Sequence, residues 1–172
     1  LGAKMVIDTS GPSLGAALNE GVTLIKPNQN ELSEFVGRAL ESDGDRIAAC
    51  RALIMDGRTE MVALTLGEHG AMLVTRERVL RSAPMQIDVV SAVGAGDSFL
   101  GGLVAALAKD APLEDAFRLA VAAGSAAVMS PGTELGSEDD VRNLLPRVAV
   151  TELAAAPSAG AMRRRSTHCR ST

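Results

Sequence analysis

Residues Met61-Val62-Ala63-Leu64-Thr65-Leu66 form an almost unbroken apolar run, with Gly67 directly behind it. A strand wet on one face alternates apolar and polar side chains, whereas a continuous run of this length suits a strand covered on both faces, as in a parallel sheet between helical layers. Working upstream, Ile47, Leu53 and Ile54 mark a helix over about residues 45–55, and Leu32, Phe35, Val36 and Leu40 recur at helical spacing over 30–40. Before them, Val22-Thr23-Leu24-Ile25 reads as a strand that Pro27 stops. A short helix over 13–19, entered through the Gly11-Pro12 turn, and a strand at Val6-Ile7 complete the first part.

Downstream, short strands are expected at 71–75, 79–82 and 86–90. Phe99, Leu100, Leu103, Val104 and Leu107 then line one face of a helix, and an Ala-rich helix follows over 113–129. Ser137 with Asp140 resembles a capping arrangement for a last helix that ends before Pro146. Strands alternating with amphipathic helices predict an α/β fold around a mostly parallel sheet. From residue 149 the Ala, Ser, Pro and Arg composition loses apolar period, so one domain is expected over 1–148 and a disordered tail over 149–172.

With 172 residues, 47% hydrophobic and 22% charged, the chain has ordinary globular composition and enough length for one sizeable core. A net charge of -4 provides no general field for nucleic acid or anionic lipid, so neither is expected as a partner, and any anion must be held by a focused site. Cys50 and Cys169 suggest neither a disulfide framework nor a metal-ligand spacing, which fits a reducing cytoplasm. No apolar stretch approaches the roughly 18 residues of a membrane span. The chain opens on Leu1 and enters a strand almost at once, which reads as a start in mid-domain.

The segment richest in chemistry is Ser91-Ala92-Val93-Gly94-Ala95-Gly96-Asp97-Ser98, between an expected strand and a helix. Glycines without β-carbons let consecutive backbone N–H groups approach an anion, and a helix N-terminus adds partial positive charge. Asp97 in the first turn stands where a carboxylate can take a proton from an attacking hydroxyl. The plainer alternative is a tight turn with Asp97 as a helix cap. Asn28 and Glu31, three apart at a helix start, can face one spot, or act as a cap and a solvated charge. Thr65, Gly67 and Gly70 follow the buried strand at the sheet edge where α/β folds place ligands, or else turn a hairpin. Lys26 can pair with phosphate or stand as an ordinary strand-end charge.

Val-Gly-Ala-Gly-Asp-Ser at 93–98 resembles the C-terminal signature of the PfkB carbohydrate kinases, a ribokinase-like family, and three further segments match in order. Lys26-Pro27-Asn28-Gln29-Asn30-Glu31-Leu32 is similar to the family's Asn-x-x-Glu motif. Thr65-Leu66-Gly67-Glu68-His69-Gly70 is similar to its nucleotide loop, and Ala123-Gly124-Ser125-Ala126-Ala127 with Gly132-Thr133 to the helix and turn that close the adenine and cation sites.

The resemblance spans about residues 6–146 and implies a three-layer ribokinase-like fold whose N-terminal half and lid are missing from this chain. It further implies phosphoryl transfer from ATP to a sugar phosphate, with Asp97 as base and the amides of Gly94, Ala95 and Gly96 stabilising charge. Lys26, Asn28, Thr65, Gly67, Gly70, Val121 and Ser125 would contact nucleotide, and Glu31 would organise Mg2+ through water. Ser91, Val93, Ala127, Ser130 and Gly132 would surround a monovalent cation, K+, although Ser130 and Glu134 stand where other members carry Asn and Arg. The substrate expected is fructose 6-phosphate, with 1-phosphofructokinase, tagatose-6-phosphate kinase or a noncatalytic nucleotide-binding fragment as alternatives. Intact members often pair as homodimers through the lid. No role attaches to His69, His168 or Arg163-Arg164-Arg165.

Overall fold

The computed structural model describes residues 3–131 and 136–154. In chain order the elements are β1 (Val6–Ile7), α1 (Gly11–Glu20), β2 (Val22–Ile25), α2 (Gln29–Val36), α3 (Asp43–Met55), β3 (Thr59–Thr65), a 3-10 turn (Gly67–His69), β4 (Ala71–Val74) and β5 (Val79–Ser82). Then follow α4 (Ala95–Leu107), α5 (Leu113–Met129), α6 (Glu138–Leu144), a second 3-10 turn (Leu145–Arg147) and β6 (Val150–Glu152).

The strands form one sheet in the order β1-β2-β3-β4-β5-β6. The helical crossovers α1 and α2–α3 make β1, β2 and β3 parallel neighbours. Beyond β3 the chain returns by tight turns, so β3–β4 and β4–β5 are antiparallel, and β6, which follows only after α4, α5 and α6, also pairs antiparallel with β5. The expectation of a mostly parallel sheet is therefore corrected to a mixed sheet. A connection as short as the 3-10 turn Gly67–His69 permits only an antiparallel return, because a parallel one needs a crossover of a dozen residues or more.

Side-chain alternation sorts the strand residues into two cores. Val62, Leu64, Met72 and Val74 pack with Leu14 and Leu18 of α1, Leu32 of α2, and Cys50, Leu53 and Ile54 of α3. The intervening Ala63, Ala71 and Leu73 face the other way, onto Phe99 and Leu103 of α4 and Phe117, Ala120 and Val121 of α5. Helices thus cover both faces in three layers, which is why the strand at Met61–Leu66 carries no alternation. The α4–α5 pair is unusually close: a Cβ on Gly124 would sit 3.1 Å from the Ala95 carbonyl and from Phe99 Cβ. Phe99 and Phe117 meet edge to face, centroids 6.3 Å apart, in the geometry that aromatic quadrupoles favour.

Three local expectations change. The helix expected over 30–40 stops at Val36, because Gly37 takes the left-handed conformation (φ 69°) and donates its N–H back to Glu34 and Ser33. Residues 86–90 form no strand: the Gln86 carbonyl accepts from Arg147 Nη2 at 2.8 Å, and the Val90 N–H turns to the Val128 carbonyl at 2.9 Å. The ordered chain also runs past residue 148. Val150–Glu152 adds β6 to the sheet, Leu153 N–H donates to the Val79 carbonyl at 2.8 Å, and Arg78 holds Glu152 with bonds of 3.0 and 2.8 Å. Residues 155–172, including His168, Cys169 and the three arginines, lie outside the described residues.

Candidate active site

At the C-terminal ends of β2 and β3, Asn28 bridges Thr65, whose N–H donates to the Pro27 carbonyl at 3.1 Å. Asn28 is the N-cap of α2 in a reciprocal capping box. Its Oδ1 accepts from Glu31 N–H at 2.9 Å, and Glu31 Oε2 accepts from Asn28 N–H at 2.8 Å. The cap reading of these two residues is thus correct in itself, and it also fixes the Glu31 carboxylate at the sheet edge, with one oxygen engaged by the backbone.

Lys26 is 7% exposed, so the ordinary strand-end charge is ruled out. Burial of an ammonium is costly without a partner, and Asp8, at the end of β1, supplies one: Nζ lies 3.1 Å from Oδ2. The same ammonium lies against α4, since a Cβ on Gly96 would be 3.0 Å from Nζ.

Gly94 begins α4 with φ 79° and carries no side-chain cap. A β-carbon disfavours that left-handed conformation. Ala95, Gly96 and Asp97 are the first three helical residues, whose N–H groups have no intrahelical acceptor. Asp97 is third in the helix and exposed, so it does not occupy the N-cap position that the plainer reading gave it. The buried ammonium and the unclaimed amides of the first turn of α4 therefore meet at Gly96, and the exposed Asp97 is the next residue in the chain.

That spot opens into a groove of about 1090 Å³. Asn28, Thr65, Gly67 and Gly70 line one wall, Ala95 and Gly96 another, and Val121 and Ser125 of α5 a third. The segment after β5 closes the last side with Met85, Gln86 and Ile87. Ser125 Oγ donates to Met85 Sδ at 3.3 Å. Gly70 (φ 88°) packs so tightly that a Cβ would come 2.4 Å from the Ser82 carbonyl, and the Leu66 N–H closes the loop on the Gly70 carbonyl at 2.9 Å. Lys26, Glu31, Gly94 and Asp97 are not among the residues that line this groove, although each adjoins, in sequence or in space, one that is.

For the monovalent-cation set, the Ser91 N–H donates to the Val128 carbonyl at 3.1 Å, bringing the approach to α4 against the end of α5. The Val93 N–H donates to Ser91 Oγ at 3.3 Å, and the Ala127 carbonyl accepts from the Ser130 N–H at 3.1 Å. Gly132 and Glu134 lie outside the described residues. Among the described residues no three His, Cys, Asp or Glu side chains cluster to hold a metal. Glu31 keeps one carboxylate oxygen outside the capping box, a single hard ligand of the kind that suits Mg2+, which retains its waters and leans on substrate phosphates. The pairing of Asp8 with Lys26 has no signal in the sequence, because the two carry opposite charges on strands that only the β1–β2 register brings together. Met85 carries no signal, since its place in the groove depends on Arg147 holding Gln86.

Residues 2–140 match the model of the pfkB family carbohydrate kinases. The chain belongs to this family. It is 40% identical over 144 residues to the ATP-dependent 6-phosphofructokinase isozyme 2 of Escherichia coli, covering 83% of this chain and 47% of that one. It is also 40% identical over 151 residues to the 1-phosphofructokinase of Bacillus subtilis, covering 88% and 49%. A crystal structure of phosphofructokinase-2 from E. coli in complex with potassium superposes with a TM-score of 0.80 at 39% identity, over 84% of this chain and 47% of that one. The chain therefore spans about half the length of the curated pfkB relatives it matches. The three-layer α/β architecture is that of the ribokinase-like kinases. Among the described residues no helix is long and apolar enough to cross a membrane.

Proposed function

We propose that this chain forms the ATP-binding and proton-accepting portion of a sugar-phosphate kinase that converts fructose 6-phosphate to fructose 1,6-bisphosphate. The observation that carries the reading is the uncapped N-terminus of α4, whose Ala95 and Gly96 line the groove, with Lys26 Nζ beside Gly96 and Asp97 next in the same first turn. Asp97 takes the proton as the sugar hydroxyl oxygen bonds to the γ-phosphorus and the bond to the ADP oxygen breaks. The amides of Ala95, Gly96 and Asp97, with the Lys26 ammonium, stabilise the charge gathering on the phosphoryl oxygens. Thr65, Gly67, Gly70, Val121 and Ser125 hold the nucleotide. Mg2+ bound at the phosphates would neutralise charge there, with Glu31 orienting its waters and Asn28 fixing Glu31. The carbonyls around Ser91, Val93, Ala127 and Ser130 are the candidates for K+, which the E. coli structure contains. Pairing with a second copy through a lid and a cytoplasmic location belong to the same reading.

A second substrate has equal support from identity, because the B. subtilis relative is a 1-phosphofructokinase. The deciding experiment follows ADP release by the protein in its full encoded length with fructose 6-phosphate, fructose 1-phosphate and tagatose 6-phosphate. The highest kcat/KM with fructose 6-phosphate supports the proposal. Preference for fructose 1-phosphate replaces the substrate, and ATP binding without transfer to any of the three leaves a noncatalytic nucleotide site.

A further inference from the structure

Arg81 lies on β5, its side chain 18% exposed, outside the groove, and its guanidinium gathers acceptors from three directions. Nε donates to Asp43 Oδ2 at 3.1 Å in the first turn of α3, and Nη2 donates to the His69 carbonyl at 2.8 Å. Nη1 donates to the Ala71 carbonyl at 3.3 Å and to the Ser82 carbonyl. Arg46 Nη1, 2.6 Å from Asp43 Oδ1, fixes that carboxylate in turn.

His69 ends the 3-10 turn whose other side presents Gly67 and Gly70 to the groove. A single 3-10 turn has poor hydrogen-bond geometry and little stability of its own. Gly70 lies directly on Arg81, since a Cβ there would be 3.0 Å from Nη1. A planar fork with five donors can hold carbonyls and a carboxylate simultaneously, which a lysine ammonium on a flexible stem cannot reproduce.

We infer that Arg81 is a positioning residue for ATP, anchoring the back of the 66–71 loop so that its backbone meets the nucleotide. This role rests on the reading of the groove as the ATP site. Arg78 supplies a matched control: it has the same charge beside the same strand, but pairs with Glu152 and Glu114 and makes no bond to the loop.

The test compares wild type, Arg81→Gln, Arg81→Lys and Arg78→Gln in the protein at its full encoded length, by calorimetric titration with Mg-ATP, amide hydrogen exchange and thermal unfolding. Arg81→Gln is expected to weaken ATP binding about tenfold, the scale of one charge-assisted hydrogen bond. It should also speed exchange at the amides of Leu66, His69 and Gly70, and Arg81→Lys should restore neither property. Arg78→Gln should lower the melting temperature while leaving ATP affinity and loop exchange within about twofold, because rim ion pairs act locally. ATP affinity in Arg81→Gln within twofold of wild type, or an equal loss in Arg78→Gln, overturns the role. A full-length wild-type protein that binds no ATP overturns the reading of the groove and the role of Arg81 with it.

Discussion

Asp97 and Gly96 are adjacent yet need opposite things from the chain, a reaching carboxylate and an absent side chain. Asp97→Asn preserves shape and removes the proton acceptor of the proposed reaction, so in the full-length protein it is expected to lower turnover about 10²–10⁴-fold with ATP affinity unchanged. Stopped-flow ADP release beside equilibrium ATP binding checks both halves of that statement. Glu31→Gln separates the observed capping bond from the proposed Mg2+ role, because the amide oxygen can still accept from Asn28 N–H and keep the capping box. The cap's stability should survive, while the Mg2+ concentration for half-maximal activity rises, as a magnesium titration would show. The glycine-led start of α4, the first-turn place of Asp97 and the pairing of Asn28 with Glu31 were legible in the sequence because each depends on backbone geometry a few residues away. Asp8 and Arg81 were not. Their partners, Lys26 and the His69 carbonyl, are brought to them only by sheet register.

Elements read well where local pattern and tertiary packing agree. Residues 113–129 matched α5 because 17 residues of good helix formers bury one face against α4 and the sheet. Residues 86–90 look like a strand by composition, but their backbone groups are taken by Arg147 and by the end of α5. Conversely, β6 is three residues long with no alternation, and pairing with β5 plus the Arg78–Glu152 fork makes it a strand. The α4–α5 contact invites an element-scale test. Gly124→Val would press two extra methyls and a β-carbon onto Ala95 and Phe99, and overpacking of this kind costs about 1–3 kcal/mol. Urea unfolding should report that loss, and ATP affinity should fall with it, because Ala95 is both the contact and part of the groove wall.

At the scale of the molecule, charge and core respond differently to pH and to reagents. Burial pushes the Asp43 carboxyl up, but the bonds from Arg46 and Arg81 more than offset this and leave it below the usual range. Ser42 holds Asp45 low, with help from Arg38, and Arg78 holds Glu152 low. Groups depressed on folding contribute stability above their unfolded values, near 4, and lose it as pH falls through the folded ones. The urea midpoint should therefore hold across neutral pH and drop below about pH 4, with a smaller drop in Glu152→Gln. Cys50, fully buried, has its thiol pushed up to about 12 by burial, so mass-mapped alkylation should reach it only through unfolding. One more property follows from the Val128 carbonyl, which accepts from both Val90 and Ser91. It cinches the helical hairpin α4–α5 shut at its base, beside the groove, and leaves the bend at Asp110 (φ 54°) at the opposite end of the two helices. Cutting the backbone at that bend should yield two fragments, 1–109 and 110–172, that co-elute when mixed, so that ATP binding would report their reassembly.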